Sequence, residues 1–316
     1  MKAIVIHRFG GANQLQMETV ATPEPDRDEV LIAIACAGVN PVDWKIRDGM
    51  LESLFPHRFP LIPGWDAAGT VAAVGAGVHG FAEGDRVFAY CRKPVVQWGT
   101  YAEYVAMPAA AVAAMPASLG FAEAAAIPLA GLTSWQALFD DAGLASGQAL
   151  LVLSGAGGTG SLAIPFAKNA GARVYALASP ANHDYVRSLG ADDVFDYHAP
   201  DALAAVRARE PSGVDVVYAN VGGPLHREAY GILRPGGTLV SIVDPPDQAA
   251  AEAAGVIALF RFVEPDGTQL GEIARLVDQG IVRPPEITLM RLEEAAAAQA
   301  RNQDGHVRGK IVLEVS

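Results

Sequence analysis

The segment Ser154-Gly-Ala-Gly-Gly-Thr-Gly160 holds the pattern Gly-x-Gly-x-x-Gly at Gly155, Gly157 and Gly160. Such a turn is built to cradle a pyrophosphate. Gly155 allows the tight turn, Gly157 lets the backbone approach the phosphates, and Gly160 allows the next helix to pack closely on the preceding strand. Ala156, Gly158 and Thr159 complete the cradle. The helix that opens behind it offers N–H groups without intrahelical partners and a positive dipole end. The alternative is a Gly-rich turn with no ligand. Its setting argues against that: the apolar run Gln148–Leu153 leads into it and a helical stretch, Ser161–Asn169, leads out. A second constellation is Asn40-Pro-Val-Asp-Trp-Lys-Ile-Arg47. Asn40 offers an amide donor to a developing oxyanion, or else caps a turn. Asp43 suits organising the loop or holding a cation. Trp44 either walls a planar substrate or packs in the core. Lys45 supplies an ammonium beside a substrate oxygen, or else is a solvated surface charge.

The residues after the second strand of this region decide which dinucleotide fits. An acid there, about 20 residues beyond the Gly-rich turn, accepts from the ribose 2′-OH of NAD. Here the strand Ala172–Ala178 runs into Ser179-Pro-Ala-Asn182-His183 without an acid. Ser179 and Asn182 can donate to a 2′-phosphate and His183 can add charge, so NADP(H) is the expected cofactor. No Arg or Lys stands in this turn, which points to a modest preference.

These groups need a scaffold, and the chain patterning supplies one. Gln148–Leu153, Ala172–Ala178, Val214–Ala219 and Gly237–Ile242 are nearly continuous apolar runs. Strands without alternation are buried on both faces, as in a parallel sheet covered by helices. Alternating with helices, they give a doubly wound parallel α/β domain. Ahead of it, Glu29–Val39, Gly69–Gly75 and Gly84–Tyr90 are short strands separated by Gly and Pro, in the manner of a β-barrel. Behind it come helical stretches at Leu270–Gln279 and Leu292–Gln303 and a last strand, Lys310–Val315. That tail is too short for a domain and is expected to complete the first one. The division is residues 1–117 with 263–316, and 118–262.

Composition excludes other classes. With 316 residues and 51% hydrophobic content, the chain is no disordered segment. A net charge of -12 argues against a phosphate-backbone binder. Two Cys, Cys36 and Cys91, make neither a disulfide framework nor a Cys-x-x-Cys zinc pair. Ala106–Leu132, the most apolar region, is interrupted by Pro108, Pro116, Pro128 and Glu123, so no membrane span is expected. Nothing at the N-terminus reads as a signal peptide, and a cytoplasmic location is expected.

The chain resembles the zinc-free quinone oxidoreductase branch of the medium-chain dehydrogenase/reductase superfamily. The motifs run in order along it: Gly38-Val-Asn-Pro-Val-Asp43, Pro63-Gly-Trp-Asp-Ala-Ala-Gly-Thr-Val71, Gly84-Asp-Arg-Val87, Gly99-Thr-Tyr-Ala-Glu-Tyr104, Ala125-Ala-Ile-Pro128, Leu132-Thr-Ser-Trp135, Leu189-Gly-Ala-Asp192 and Gly309-Lys-Ile-Val-Leu313. The resemblance implies a GroES-like β-barrel catalytic domain, a Rossmann domain for the nucleotide, and an active site in the cleft between them. Zinc-dependent relatives have a Cys where this chain has Asn40 and a His-Glu pair where it has Trp65-Asp66. No metal site is therefore expected.

By the same resemblance Asn40 faces the nicotinamide end, and Lys45 stands where enone-reducing relatives often have Lys and many quinone reductases have Tyr. Trp65 lines the substrate pocket with Trp44. Thr133 touches the nicotinamide or its ribose. Asn220 and Val221 lie near the adenosine ribose, Ile242 ends the next strand, Phe260 and Phe262 pass the carboxamide, and Gly309 with Lys310 closes the cleft. Homodimers are common in the family through the edge of the nucleotide-domain sheet, to which the strand Gly237–Ile242 is a plausible contributor. The expectation is an NADPH-dependent reductase of quinones or α,β-unsaturated carbonyls. The alternative is an NADPH-binding redox sensor or structural protein with little catalysis.

Overall fold

The computed structural model describes residues 1–316. β1 (Lys2–Val5) and β2 (Gln16–Thr19) form an antiparallel pair. β3 (Glu29–Val39) is the long central strand of the first unit, buried along most of its length. α1 (Pro41–Arg47) starts directly after it. Its first residue is a proline, whose missing N–H and fixed φ cost nothing there. β4 (His57–Ile62), β5 (Asp66–Val74), β6 (Arg86–Tyr90), β7 (Val96–Trp98), β8 (Tyr104–Pro108) and β9 (Val112–Ala114) follow. β3 pairs antiparallel with β5 and with β8, and β5 with β6. Ile32, Ile34, Val71, Val87 and Val105 from these strands meet in one apolar core. α2 (Phe121–Ala125) lies against β3 and β5.

α3 (Pro128–Trp135) leads into the second unit, which alternates strand and helix. The series is β10 (Ala149–Val152), α4 (Gly160–Asn169), β11 (Arg173–Ala178), α5 (His183–Ser188), β12 (Asp193–Asp196), α6 (Ala202–Arg209) and β13 (Val214–Ala219). It continues with α7 (Pro224–Glu228), β14 (Leu233–Ser241), α8 (Gln248–Ala254) and β15 (Ile257–Phe260). The strands form one sheet in the order β12-β11-β10-β13-β14-β15, every ladder parallel. β10 is buried throughout, as its unbroken apolar run requires.

One expectation is corrected here. The strand around Gly237–Ile242 is not an edge: β14 is flanked by β13 and β15, and the edges of the sheet are β12 and β15. The segment from Asp244 to Arg261 contains α8 and β15. Asp247 caps α8 by accepting the Ala250 N–H at 3.0 Å, and Gly255 ends the helix in the left-handed conformation.

α9 (Gly267–Asp278), β16 (Ile287–Arg291), α10 (Ala295–Gln303) and β17 (Lys310–Glu314) return to the first unit. β17 inserts between β16, parallel, and β3, antiparallel. The first unit thus comprises 1–132, 264–279 and 284–316, and the second 133–263 and 280–283. The first boundary falls after 117 because α2 packs on β3 and β5.

Gly309 sets the approach of β17. Its φ is +67°, and a Cβ there would lie 2.0 Å from the Glu286 carbonyl oxygen. Gly309→Ala is therefore expected to destabilise the protein by roughly 2–4 kcal/mol, measured as a lower urea midpoint. A midpoint equal to that of the parent would show that the turn relaxes freely.

Candidate active site

The Gly-rich turn joins β10 to α4, at the carboxyl end of the sheet. A Cβ on Gly160 would lie 1.9 Å from the Ser154 carbonyl oxygen, so only glycine lets α4 start this close to β10. At Gly157 a Cβ would meet only the Ser154 hydroxyl, at 3.4 Å, and would fill the space above the turn. The turn is clamped from β13. Asn220 accepts the Ser154 N–H at 2.8 Å, and its amide donates to the Ser154 carbonyl at 2.9 Å and the Thr159 hydroxyl at 3.2 Å. Ser134 adds a bond to the Thr159 carbonyl at 2.9 Å. A rigid turn, open at Gly157 and backed by the first N–H groups of a helix, fits a dinucleotide pyrophosphate. Order β12-β11-β10-β13 puts the topological switch point between β10 and β13, where open α/β sheets bind ligands.

Asn220 was expected near a ribose, and its side chain instead holds the turn. Gly155, Ala156, Gly158 and Thr159 lie in the turn itself. At the end of β11 the Asn182 amide donates to the Ser179 hydroxyl at 3.1 Å, so these two are brought together, and the His183 ring lies 3.2 Å from the Ala178 carbonyl oxygen. Thr133 is buried on α3, one position before Ser134. Val221 and Ile242 follow directly on β13 and β14, both half-buried. Phe260 ends β15 and is exposed, and Phe262 is half-buried just beyond.

In the first unit Asn40, Asp43 and Lys310 meet in a buried polar network with Asp66 and Tyr101. Asn40 is 2% exposed and Lys310 5%. The Lys310 ammonium donates to the Asn40 amide oxygen and lies 3.3 Å from Asp66 Oδ2. The Asn40 amide nitrogen donates to the same Asp66 oxygen at 2.8 Å, and Asp66 Oδ1 accepts the Leu129 N–H at 2.7 Å. Asp43 Oδ2 accepts the Asn40 N–H at 2.8 Å and the Tyr101 hydroxyl at 2.9 Å. Asp43 Oδ1 is buried without a partner. Burial pushes the Asp43 carboxyl up to about 7, opposed by the Asn40 and Tyr101 hydrogen bonds and the Lys310 charge. Burial also raises Asp66, against the pull of Lys310.

Lys310 was expected to close a cleft, and its side chain is instead committed to Asn40 and Asp66. Asn40 was expected to face an acceptor, and both atoms of its amide are engaged inside the network. Lys45 is half-buried on α1, its ammonium 5.7 Å from the centroid of the Trp44 ring. The Trp44 indole nitrogen is buried without a partner. Trp65 is 4% exposed and meets Phe55 and Tyr90 edge to face, at 6.4 and 5.9 Å. Both cysteines are buried and free, and burial pushes the Cys36 thiol up to about 11, far from a reactive thiolate. No three His, Cys, Asp or Glu side chains gather as a metal site would need. Sequence reasoning gave Tyr101 no role in the site and passed over the pairing of Lys310 with Asp66. The available signal was a single Lys opening the apolar run Ile311-Val-Leu313.

Residues 26–117 match the family model described as the alcohol dehydrogenase GroES-like domain, and residues 189–313 the one described as zinc-binding dehydrogenase. The chain is 37% identical to a 2-methylene-furan-3-one reductase of Solanum lycopersicum, over 99% of this chain and 79% of that protein. It is 33% identical to an NADPH-dependent alkenal/one oxidoreductase of Arabidopsis thaliana, again over 99% and 79%. Among solved structures, the quinone oxidoreductase from Coxiella burnetii superposes with a TM-score of 0.90 at 32% identity, covering 100% of this chain and 99% of that one.

The Asp43 carboxyl gives a test of the network. Its value when folded, about 7, lies above its ordinary 3.8. The folded state therefore holds the extra proton between those values. Its stabilising contribution is complete below about pH 4 and is lost as pH rises through about 7. Unfolding free energies from urea titrations between pH 4 and 8 should fall with pH more steeply in the parent than in Asp43→Asn, by a few kcal/mol over the window. Parallel curves for the two proteins would place the Asp43 proton elsewhere.

Proposed function

The chain belongs to the quinone oxidoreductase branch of the medium-chain dehydrogenase/reductase superfamily, and from that premise we propose that it is an NADPH-dependent reductase of quinones or α,β-unsaturated carbonyl compounds. The observation that carries this reading is the clamped turn at Ser154–Gly160, open at Gly157. NADPH dependence in the Arabidopsis relative supports the same cofactor here. Gly155 to Gly160 would hold the pyrophosphate, Ser179 and Asn182 the 2′-phosphate, and Thr133, Val221, Ile242, Phe260 and Phe262 the remainder. When bound, the cofactor supplies a hydride to the electrophilic carbon of the acceptor.

The acceptor oxygen gains negative charge as that hydride arrives. Of the two cations on α1, Arg47 is buried and donates to the Gly10 carbonyl, Gln299 and Gln303, while Lys45 is half-buried, and we assign to Lys45 the stabilisation of that charge. Trp44 beside it forms a wall for a planar acceptor, and Trp65 packs behind with Phe55 and Tyr90. Asn40 and Asp43 hold α1 in place. Water delivers the proton that completes the reduction.

The second unit presents β15 as a free edge, with Ile257 51% exposed on it. An apolar edge strand is a template for pairing with another. This supports a homodimer joined through β15. Two buried, unpaired cysteines favour a reducing compartment, and we propose a cytoplasmic one. No helix is long and apolar enough to cross a membrane.

NADPH oxidation with a panel of quinones, alkenals and enones tests the reading; turnover of none of them would reject it. Lys45→Ala and Lys45→Met should each lower kcat/KM roughly 10- to 1000-fold with Tm nearly unchanged, and unaltered kinetics in both would remove Lys45 from the mechanism. Ser179→Ala combined with Asn182→Ala should raise KM for NADPH and leave that for NADH in place. Equal or better use of NADH by the parent would reject the 2′-phosphate assignment. Ile257→Lys should convert dimer to monomer in sedimentation, whereas an unchanged mass would exclude β15 as the interface.

A further inference from the structure

We infer that Lys310 is a positioning residue for the reduction, acting with Asp66 through the Asn40 amide on the helix that carries Trp44 and Lys45. This rests on the proposed function for its meaning in turnover, and on geometry alone for its meaning in the fold.

The argument starts from the cost of the arrangement. An ammonium is seldom buried, and a buried ion pair is weak evidence for stability, because desolvation offsets the attraction. The neighbours of Lys310 on β17 are Ile311, Val312 and Leu313, all fully buried. An apolar side chain would satisfy that environment with less desolvation. What an apolar side chain would not do is orient an amide.

Lys310 does so without ambiguity. Its ammonium takes the Asn40 amide oxygen, which forces the amide nitrogen toward Asp66 Oδ2. A flipped amide would point N–H groups at an ammonium and an oxygen at a carboxylate, two repulsive contacts at once. Asp66 is fixed in turn by the Leu129 N–H on its other oxygen.

Asn40 is the residue immediately before α1, and its backbone N–H is bound by Asp43 within the helix. Asp43 is held by the Tyr101 hydroxyl. The start of α1 is thus tied at three places in the chain: Lys310 on β17, Asp66 on β5 and Tyr101. A seven-residue helix is too short to hold its own position. Its placement comes from such contacts, and so does the placement of Trp44 and Lys45 on its second turn.

The test separates positioning from mere stability. Lys310→Met alone leaves the Asp66 carboxylate buried without its counter-charge, and a Tm lower by roughly 6 °C or more is expected. Lys310→Met with Asp66→Asn removes both charges and should recover most of that Tm. In the double variant the Asn40 amide has lost its ammonium. Its kcat for the best acceptor should fall roughly 10- to 100-fold, with KM for NADPH within about twofold. Adding Lys45→Ala should then cost less than about twofold more, because Lys45 is already misplaced. Hydrogen exchange, read on the protein without cofactor, should be roughly tenfold faster over residues 41–47 than in the parent.

Recovery of kcat together with Tm, or parent-like exchange over residues 41–47, overturns the inference. If the double variant does not fold, Lys310→Arg replaces it: the charge is kept, and the longer, planar guanidinium does not reproduce the donor directions of the ammonium. Lower kcat at unchanged Tm then supports positioning, and parent-like kcat rejects it. Should the parent reduce no acceptor, the proposed function fails, and exchange over residues 41–47 alone decides the role of Lys310 in the fold.

Discussion

A single buried ammonium ties the beginning of the first unit to its end. Lys310 and Asp66 are 244 positions apart in the chain, and Lys310 and Asn40 are 270 apart. Their meeting requires β17 to lie beside β3 in the observed register, with Ile311 opposite Val39. A slip of one residue would turn Lys310 to the other face and leave Asp66 buried without a cation. Register, charge pairing and the strand insertion are therefore one constraint. β16 depends on it too, since it joins the sheet only through β17.

The second unit obeys a different constraint. Its inner strands are covered on both faces, so polar chemistry is confined to their ends. At those ends the backbone must still satisfy its own N–H and C=O groups. Asn220 does this for the Gly-rich turn, with its amide replacing a strand partner for Ser154 on both sides. The cradle is consequently shaped by a side chain from β13 as much as by its own glycines. Tyr218, on the same strand, approaches Ser134 at 3.4 Å, which braces the turn from α3 as well.

The α/β unit was legible in the sequence because its strands announce themselves locally. Val214–Ala219 was read with its observed limits, and Gly160–Asn169 follows the glycine pattern as a helix should. β5 begins at Asp66 rather than Gly69, and β14 at Leu233 rather than Gly237. In both, ladder hydrogen bonds extend the strand past the glycine at which an apolar run begins. α8 was missed because Gln248-Ala-Ala-Ala-Glu-Ala-Ala254 has almost no apolar periodicity; its caps and alanine propensity form it. The site was legible only in part. The pyrophosphate cradle is a contiguous motif. The Lys310–Asp66–Asn40–Asp43–Tyr101 network is assembled from four separate segments, and no spacing rule relates them. Asn40 and Asp43 were legible as a pair, and Asp43 as an organiser of the loop, but their partners were not, so Asn40 read as a donor to an acceptor oxygen or a turn cap rather than as one link in a network.

Net charge is blind to the corner that distinguishes the two dinucleotides, and local register is not. No acid follows β11, yet β12 brings one beside it: Asp196 is the ladder partner of Ala178, the last residue of β11. A free carboxylate there would oppose a 2′-phosphate and suit a ribose hydroxyl. Asp196 is not free. Its Oδ1 accepts the His198 N–H at 2.9 Å and faces the His198 ring at the same distance, and these contacts hold it below the usual carboxylate range. The His183 ring also acts on it through space. The carboxylate next to Ser179 and Asn182 is thus engaged by His198, in a turn that holds no Arg or Lys. A 2′-phosphate held at this corner would therefore meet a carboxylate already engaged by the His198 N–H and ring, a local arrangement to which the overall excess of acidic residues is blind.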